Sequence, residues 1–129
     1  MIRLGLIGLG VLWLLTGISI FTDPMSFYEM VPGMKLMGPF NMHFIRDVGL
    51  AFVASGGALA WGAHVSAQRL VYAGLSWPSL HSLFHIQIWG HRGFPFDGIF
   101  AFDLGAVIGP PLLALLAAWK FRPTGEAAL

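Results

Sequence analysis

The chain has 129 residues, 57% of them hydrophobic and 10% charged, with a mean hydropathy of +0.75; a soluble domain needs more charge than this to cover its surface. A formal net charge of +1 leaves no basic stripe for nucleic acid and no acidic tail. Cysteine is absent, which excludes disulfides, thiolate metal sites, iron–sulfur clusters and thiol redox chemistry.

Four apolar stretches follow in chain order, at about 4–22, 40–63, 70–90 and 99–120. Each is close to the ~20 residues that cross a ~30 Å hydrocarbon core. The predicted fold is all-α, a four-transmembrane-helix antiparallel bundle forming one integral membrane domain over residues 1–129. The first stretch, Leu4 to Thr22, has no charge. It follows Arg3 as a signal peptide would, but its apolar run is long and no small-residue cleavage site follows. The reading is a retained helix stopped by Asp23-Pro24.

The next connection is broken by Pro24, Pro32, Gly33, Gly38 and Pro39, and with the start of the second span it holds Met25, Met30, Met34, Met37 and Met42. Thioethers suit Cu(I). These alternate with Phe27, Tyr28, Val31 and Leu36, so an amphipathic lid on the bilayer surface is the favoured expectation. The second span opens with His43, Arg46 and Asp47 and carries Ser55-Gly56-Gly57. The third carries Pro78, His81 and His85; the fourth carries Asp103, Gly105, Gly109 and Pro110-Pro111. The glycines, with Gly5, Gly8, Gly10 and Gly17 of the first span, are expected to let backbones approach. The prolines are expected to free carbonyls and kink their helices. Trp119, Lys120 and Arg122 read as an interfacial anchor, and His64 as a solvated or headgroup-facing side chain.

Short connections make consecutive helices antiparallel neighbours. Arg3, Arg69, Lys120 and Arg122 then lie on one side, against Lys35 and Arg92 on the other. The positive-inside rule places both termini in the cytoplasm.

The ionisable residues gather at one depth. Counting 1.5 Å per residue places Asp47 and His85 roughly 6–8 Å outward of the midplane, and Asp103 and His43 roughly 10–12 Å outward. His43/Asp47 and His81/His85 are each four apart and share a helix face. Because an ionisable group in hydrocarbon costs about 2.5–3.5 kcal/mol on insertion scales, these groups are expected to turn inward and pair, Arg46 with Asp47 or Asp103. His91 could join from the second outer loop. The candidate network is His43, Arg46, Asp47, His81, His85 and Asp103, and the candidate metal set His81, His85, Asp47 and His43. Four readings compete: a metal ion held by nitrogen and carboxylate donors, bis-histidine haem through His43 and His85, a proton relay or quinone-headgroup site, and a hydrogen-bond network that only fixes helix register.

The layout resembles the DoxX-like group of small four-helix bacterial membrane proteins. The likeness rests on the glycine-rich first helix, the loop FYEMVPGMKLMGPFN, the second-helix opening HFIRDVGLAFVASGG and the stretch SLHSLFHIQIW. It implies a multi-pass protein of the bacterial inner membrane, associated with quinone-linked or other redox complexes. It supplies no catalytic residue. No phosphate loop, G-x-S-x-G, H-E-x-x-H or dinucleotide fingerprint is present. Two functions remain. One is a redox-associated or accessory subunit that binds a metal, quinone or other small ligand. The other is a structural or assembly subunit whose partners are the bilayer, other membrane subunits or a second copy held through Gly105 and Gly109, with no nucleic acid.

Overall fold

A computed structural model describes residues 1–121. Arg122, part of the expected charge asymmetry and anchor, lies outside the described residues. The fold is all-helical, with no strand among the described residues. Four long helical segments dominate: α1 (Ile2–Thr22), α3 (Met42–His64), α4 (Gln68–His91) and the continuous span Gly98–Lys120. The last is built from α5 (Gly98–Phe102), a π-helical segment (Asp103–Ile108) and α6 (Gly109–Lys120). A short α2 (Pro24–Met30) and a 3₁₀ turn (Met34–Leu36) fill the connection after α1.

Three of these, α1, α3 and Gly98–Lys120, are long and apolar enough to cross a membrane. α4 has 24 residues, length enough for about 36 Å of helix, but its histidines, serines and glutamines dilute it below that standard.

The connections define two ends. At the turn end, α3 passes into α4 through Val65, Ser66 and Ala67. The Ala67 N–H bonds Gly62 O at 2.8 Å, and Ser66 takes the left-handed conformation (φ 60°) that usually calls for glycine. Arg3 donates to His64 O from the first turn of α1, fixing that helix to the same end. The loop end carries the long 23–41 connection and the 92–97 loop. Asp23-Pro24 does more than stop α1: the Asp23 carboxylate accepts from Ser26 N at 3.2 Å and Pro24 occupies the first turn of α2. The methionine-rich connection therefore contains a two-turn helix as well as turns.

Backbone contact through glycine joins α1 to α3. A Cβ on Gly56 would lie 2.4 Å from Leu14 N and 2.5 Å from Gly10 O; one on Gly17 would lie 2.5 Å from Gly49 O. Gly10 meets Gly56 and Ala60, whereas Gly17 meets Gly49 and Val53, so the helices run antiparallel with paired glycines seven residues apart. Gly62 and Gly74 make the same close approach between α3 and α4, against Val71 N and Leu59 N. Of the other glycines expected to do this, Gly5, Gly8 and Gly105 have nothing within 4 Å of a built Cβ, and Gly109 meets Leu104 O of its own span.

Leu6, Trp13, Leu59, Ala63, Val71, Leu75, Ala114, Ala118 and Phe121 form one buried cluster drawn from all four long segments. Most of these positions lie toward the turn end. There Gln68 Nε2 donates to Phe121 O at 3.0 Å and closes the end of α6 onto the start of α4.

Candidate functional site

The polar half begins with an every-fourth-residue column on α4. Trp77, His81, His85 and Trp89 share one face. The Trp77 and His81 rings stack at 4.8 Å and 12°, and His81 meets His85 edge-on at 4.6 Å. Phe52 of α3 packs edge-on against Trp77 at 5.0 Å. The α4 serines bond helix carbonyls: Ser76 to Ala73 O and Ser79 to Leu75 O, each at 2.7 Å.

The facing wall is the π segment. A π turn holds an extra residue in the helix, and its N–H groups reach five residues back. Gly109 N–H bonds Leu104 O in this way. The proline pair explains the location. Pro110 and Pro111 lack N–H groups, so the α-helical donors to Ala106 O and Val107 O are missing. Val107 O instead accepts from Ser82 Oγ across the interface at 2.7 Å. The same fully buried hydroxyl lies 2.8 Å from Pro78 O, so one proton serves two carbonyls.

One turn toward the loop end, Asp103 opens the π segment and faces His85. His85 Nδ1 lies 3.0 Å from Asp103 Oδ2, with side-chain exposures of 22% and 9%. The contact is off the direction of a good hydrogen bond, so Nδ1 is buried without a hydrogen-bond partner. Asp103 sits five residues into its span and His85 six from the end of α4, so the pair lies about 8–9 Å below the loop end.

Of the six network residues, the structure brings His81, His85 and Asp103 into one chain of contacts. His43 and Asp47 form a separate pair at 3.4 Å with side-chain exposures of 91% and 57%. Arg46 does not take the expected Asp47 or Asp103 partner. Its Nε donates to Phe21 O at 3.2 Å and its guanidinium lies over the Phe21 ring at 5.4 Å. The reason is proximity: Arg46 lies where α3 meets the end of α1, whose last carbonyls lack intrahelical donors. His43, Asp47, His81 and His85 do not assemble as a ligand set, and among the described residues no three His, Asp or Glu stand in a group able to hold a metal ion. His91 remains exposed, with Nδ1 2.9 Å from Gln87 O.

The loop end is closed by aromatic rings. Trp89, one turn outward of His85, stacks on Phe100, nearly one turn outward of Asp103, at 4.5 Å and 24°. Phe94 and Phe96 meet Trp89 edge-on at 4.9 and 5.6 Å, and Trp89 Nε1 donates to Pro95 O at 2.8 Å. Asp97 pairs with Arg92 and caps α5 through Phe100 N at 3.0 Å. The Phe100 amide and the Arg92 guanidinium hold the Asp97 carboxyl below the usual carboxylate range. Ser26 does the same for Asp23. Gly33, in the left-handed region at φ 84°, brings the 23–41 connection against Ile99.

Sequence reasoning missed Trp77, Trp89 and Phe100, and it expected Ser82 to bond only its own helix backbone. The four-residue spacing from Trp77 to Trp89 was a usable signal; nothing in the sequence marked Ser82 as the partner of Val107.

No family model, curated protein or solved structure matches the chain.

Proposed function

We propose that the chain is a four-span protein of the bacterial cytoplasmic membrane, its turn end and termini cytoplasmic. In this reading His81, His85 and Asp103 form an intramembrane site for a small hydrogen-bonding ligand, a quinone head in the first instance, and the protein serves a redox complex as a small subunit. The observation that carries it is the His85–Asp103 pair, an imidazole and a carboxylate 3.0 Å apart, both withdrawn from the surface at a depth where ionisable groups are costly. An imidazole beside a carboxylate can donate to a carbonyl oxygen and pass a proton. Flat rings at Trp77 and His81 supply a stacking surface beside it. The DoxX-like layout favours the same reading. The two-helix donor set favours a quinone over a metal or haem, since His43 stands apart from His85.

Exposed aromatics support four crossings. Trp61, Tyr72 and Trp119 are exposed near the turn end, and Phe21, Phe44, Phe94 and Phe96 near the loop end. Exposed Trp and Tyr favour a membrane–water interface, which fits the turn end, and the exposed Phe rings of the loop end add apolar surface. Tyr72 and Trp89 are 17 residues apart, about 26 Å along α4 and close to one hydrocarbon thickness. Cysteines placed singly at positions 35, 65 and 93 of this thiol-free chain test the topology: a charged maleimide reaches 35 and 93 from one side and 65 from the other. Any other pattern removes the four-span arrangement.

Ligand binding is tested on purified protein with decylubiquinone, read by tryptophan emission. Saturable quenching is expected, weakened about tenfold or more in a His81→Ala/His85→Ala variant. Equal affinity in both proteins eliminates the site. The second reading, a structural subunit, would then stand on Gly5, Gly8 and Gly105, small residues exposed with open space around them where a neighbouring helix could approach.

A further inference from the structure

We infer that this site is loaded sideways from the bilayer, so that its ligand is a neutral, membrane-dissolved molecule with a hydrogen-bonding head. The inference rests on the four-span reading and on the geometry around the His85–Asp103 pair.

Along the seam between α4 and the last span, contacts bound that pair both outward and toward the turn end. Outward, a water-soluble molecule descending the seam between α4 and the last span meets the Trp89–Phe100 stack, with Phe94 and Phe96 against its outer side. The indole N–H is already bonded to Pro95 O, so the plug offers an entering polar molecule no donor there. Ile99, one turn outward of Asp103, is covered by Gly33 of the 23–41 connection. Toward the turn end, the Ser82–Val107 bond ties the walls together, and below it Leu75 and Val71 are fully buried.

The flank is different. His85 keeps 22% of its side chain exposed, although it lies below the plug. Phe84, next to it on α4, is large, apolar and exposed, and Leu104 is exposed beside Asp103. Phe84 meets the His85 ring edge-on at 6.2 Å. At a depth of about 8–9 Å in the four-span reading, exposed apolar side chains such as these face acyl chains, and the exposed part of His85 lies beside them. A charged solute cannot use this flank cheaply, whereas a lipid-soluble molecule can bring its head to His85 and leave its apolar part in the bilayer.

Carbodiimides, which add to carboxyl groups, read this route directly. Protein in phosphatidylcholine vesicles is treated with neutral, lipid-soluble dicyclohexylcarbodiimide or with the water-soluble, cationic ethyl-dimethylaminopropyl carbodiimide, and labelled residues are identified by mass spectrometry. Exposed Asp23 and Asp97 serve as controls that the water-soluble reagent is active. At Asp103 the lipid-soluble reagent should react faster by the order of a hundredfold, the partition penalty of one charge on insertion scales. Phe100→Ala should raise water-soluble labelling of Asp103 and leave lipid-soluble labelling unchanged. His85→Gln is labelled in parallel, so the result does not depend on how the pair shares its proton. Equal labelling of Asp103 by both reagents in the wild type overturns the inference, as does no labelling by either reagent in both wild type and His85→Gln. Failure of quinone binding with selective lipid-side labelling intact would remove the proposed ligand and leave the route.

Discussion

The two ends of this bundle solve different problems with the same helices. Toward the turn end, helices meet through glycine and small apolar side chains, and Leu59, Val71 and Leu75 are fully buried. Toward the loop end, buried positions include Ser82 and Asp103, and the contacts are rings, one shared hydroxyl and a histidine–carboxylate pair. Lipid offers no hydrophobic drive between helices, so close backbone packing supplies cohesion at one end. That cohesion lets the other end hold polar groups in geometry that a simple bundle would not select.

Breaking the packed half should have the largest effect. Gly56→Leu places a side chain against Leu14 N and Gly10 O, backbone atoms that cannot yield, whereas Gly5→Leu meets open space. The first should abolish folded protein, exceeding the ~1–3 kcal/mol of ordinary overpacking, and the second should be near neutral. Thermal unfolding in detergent, followed by circular dichroism, distinguishes them. A similar loss for both would mean that the α1–α3 contact is not the cohesive one.

The loop end should respond less, and selectively. Asp103→Leu leaves the half-buried His85 without its acidic neighbour and should cost about 1–3 kcal/mol by the same assay. Asp47→Ala breaks only the exposed contact with His43 and should cost no more than about 1 kcal/mol. The reverse order would show that the polar network is centred on α3.

The smallest effect is an acid one. Asp97 has a folded-state pKa below its ordinary value, so its contribution to stability is present above the ordinary carboxylate range and disappears as the pH falls through the lowered folded value. Unfolding measured across that acid range should show less pH dependence in Asp97→Asn than in the wild type. An unchanged slope would remove the Arg92–Asp97–Phe100 closure as a contributor.

The four long helices and the antiparallel order were legible because apolar length and short connections constrain them strongly. The helix bounds differ from expectation by two residues or fewer at each end. Half of the candidate site was legible too: depth counting placed His85 and Asp103 in the same slab. Depth fixes height along the bundle and says nothing about azimuth. Arg46 and Asp47 share the slab but turn to other neighbours, and His43 points out. The π segment was hidden for a similar reason. Pro110-Pro111 announced a disturbance, but the extra residue was accommodated before the prolines, where it brings Asp103 to α4, rather than read out from them. Gly105-x-x-x-Gly109 matched a packing motif, yet the glycines that pack are Gly10, Gly17, Gly49, Gly56, Gly62 and Gly74.

The glycine contact between α1 and α3 also sets an order of assembly. Chains are synthesised from the N-terminus, so α1 and α3 can lock together before the rest has left the ribosome. α4, the least apolar of the long helices, then emerges beside a finished platform that receives Gly74 against Leu59. Its histidines wait only for the final span, which delivers Asp103 last. A chain that stalls before that step leaves His81 and His85 on α4 without the carboxylate that faces them in the finished bundle.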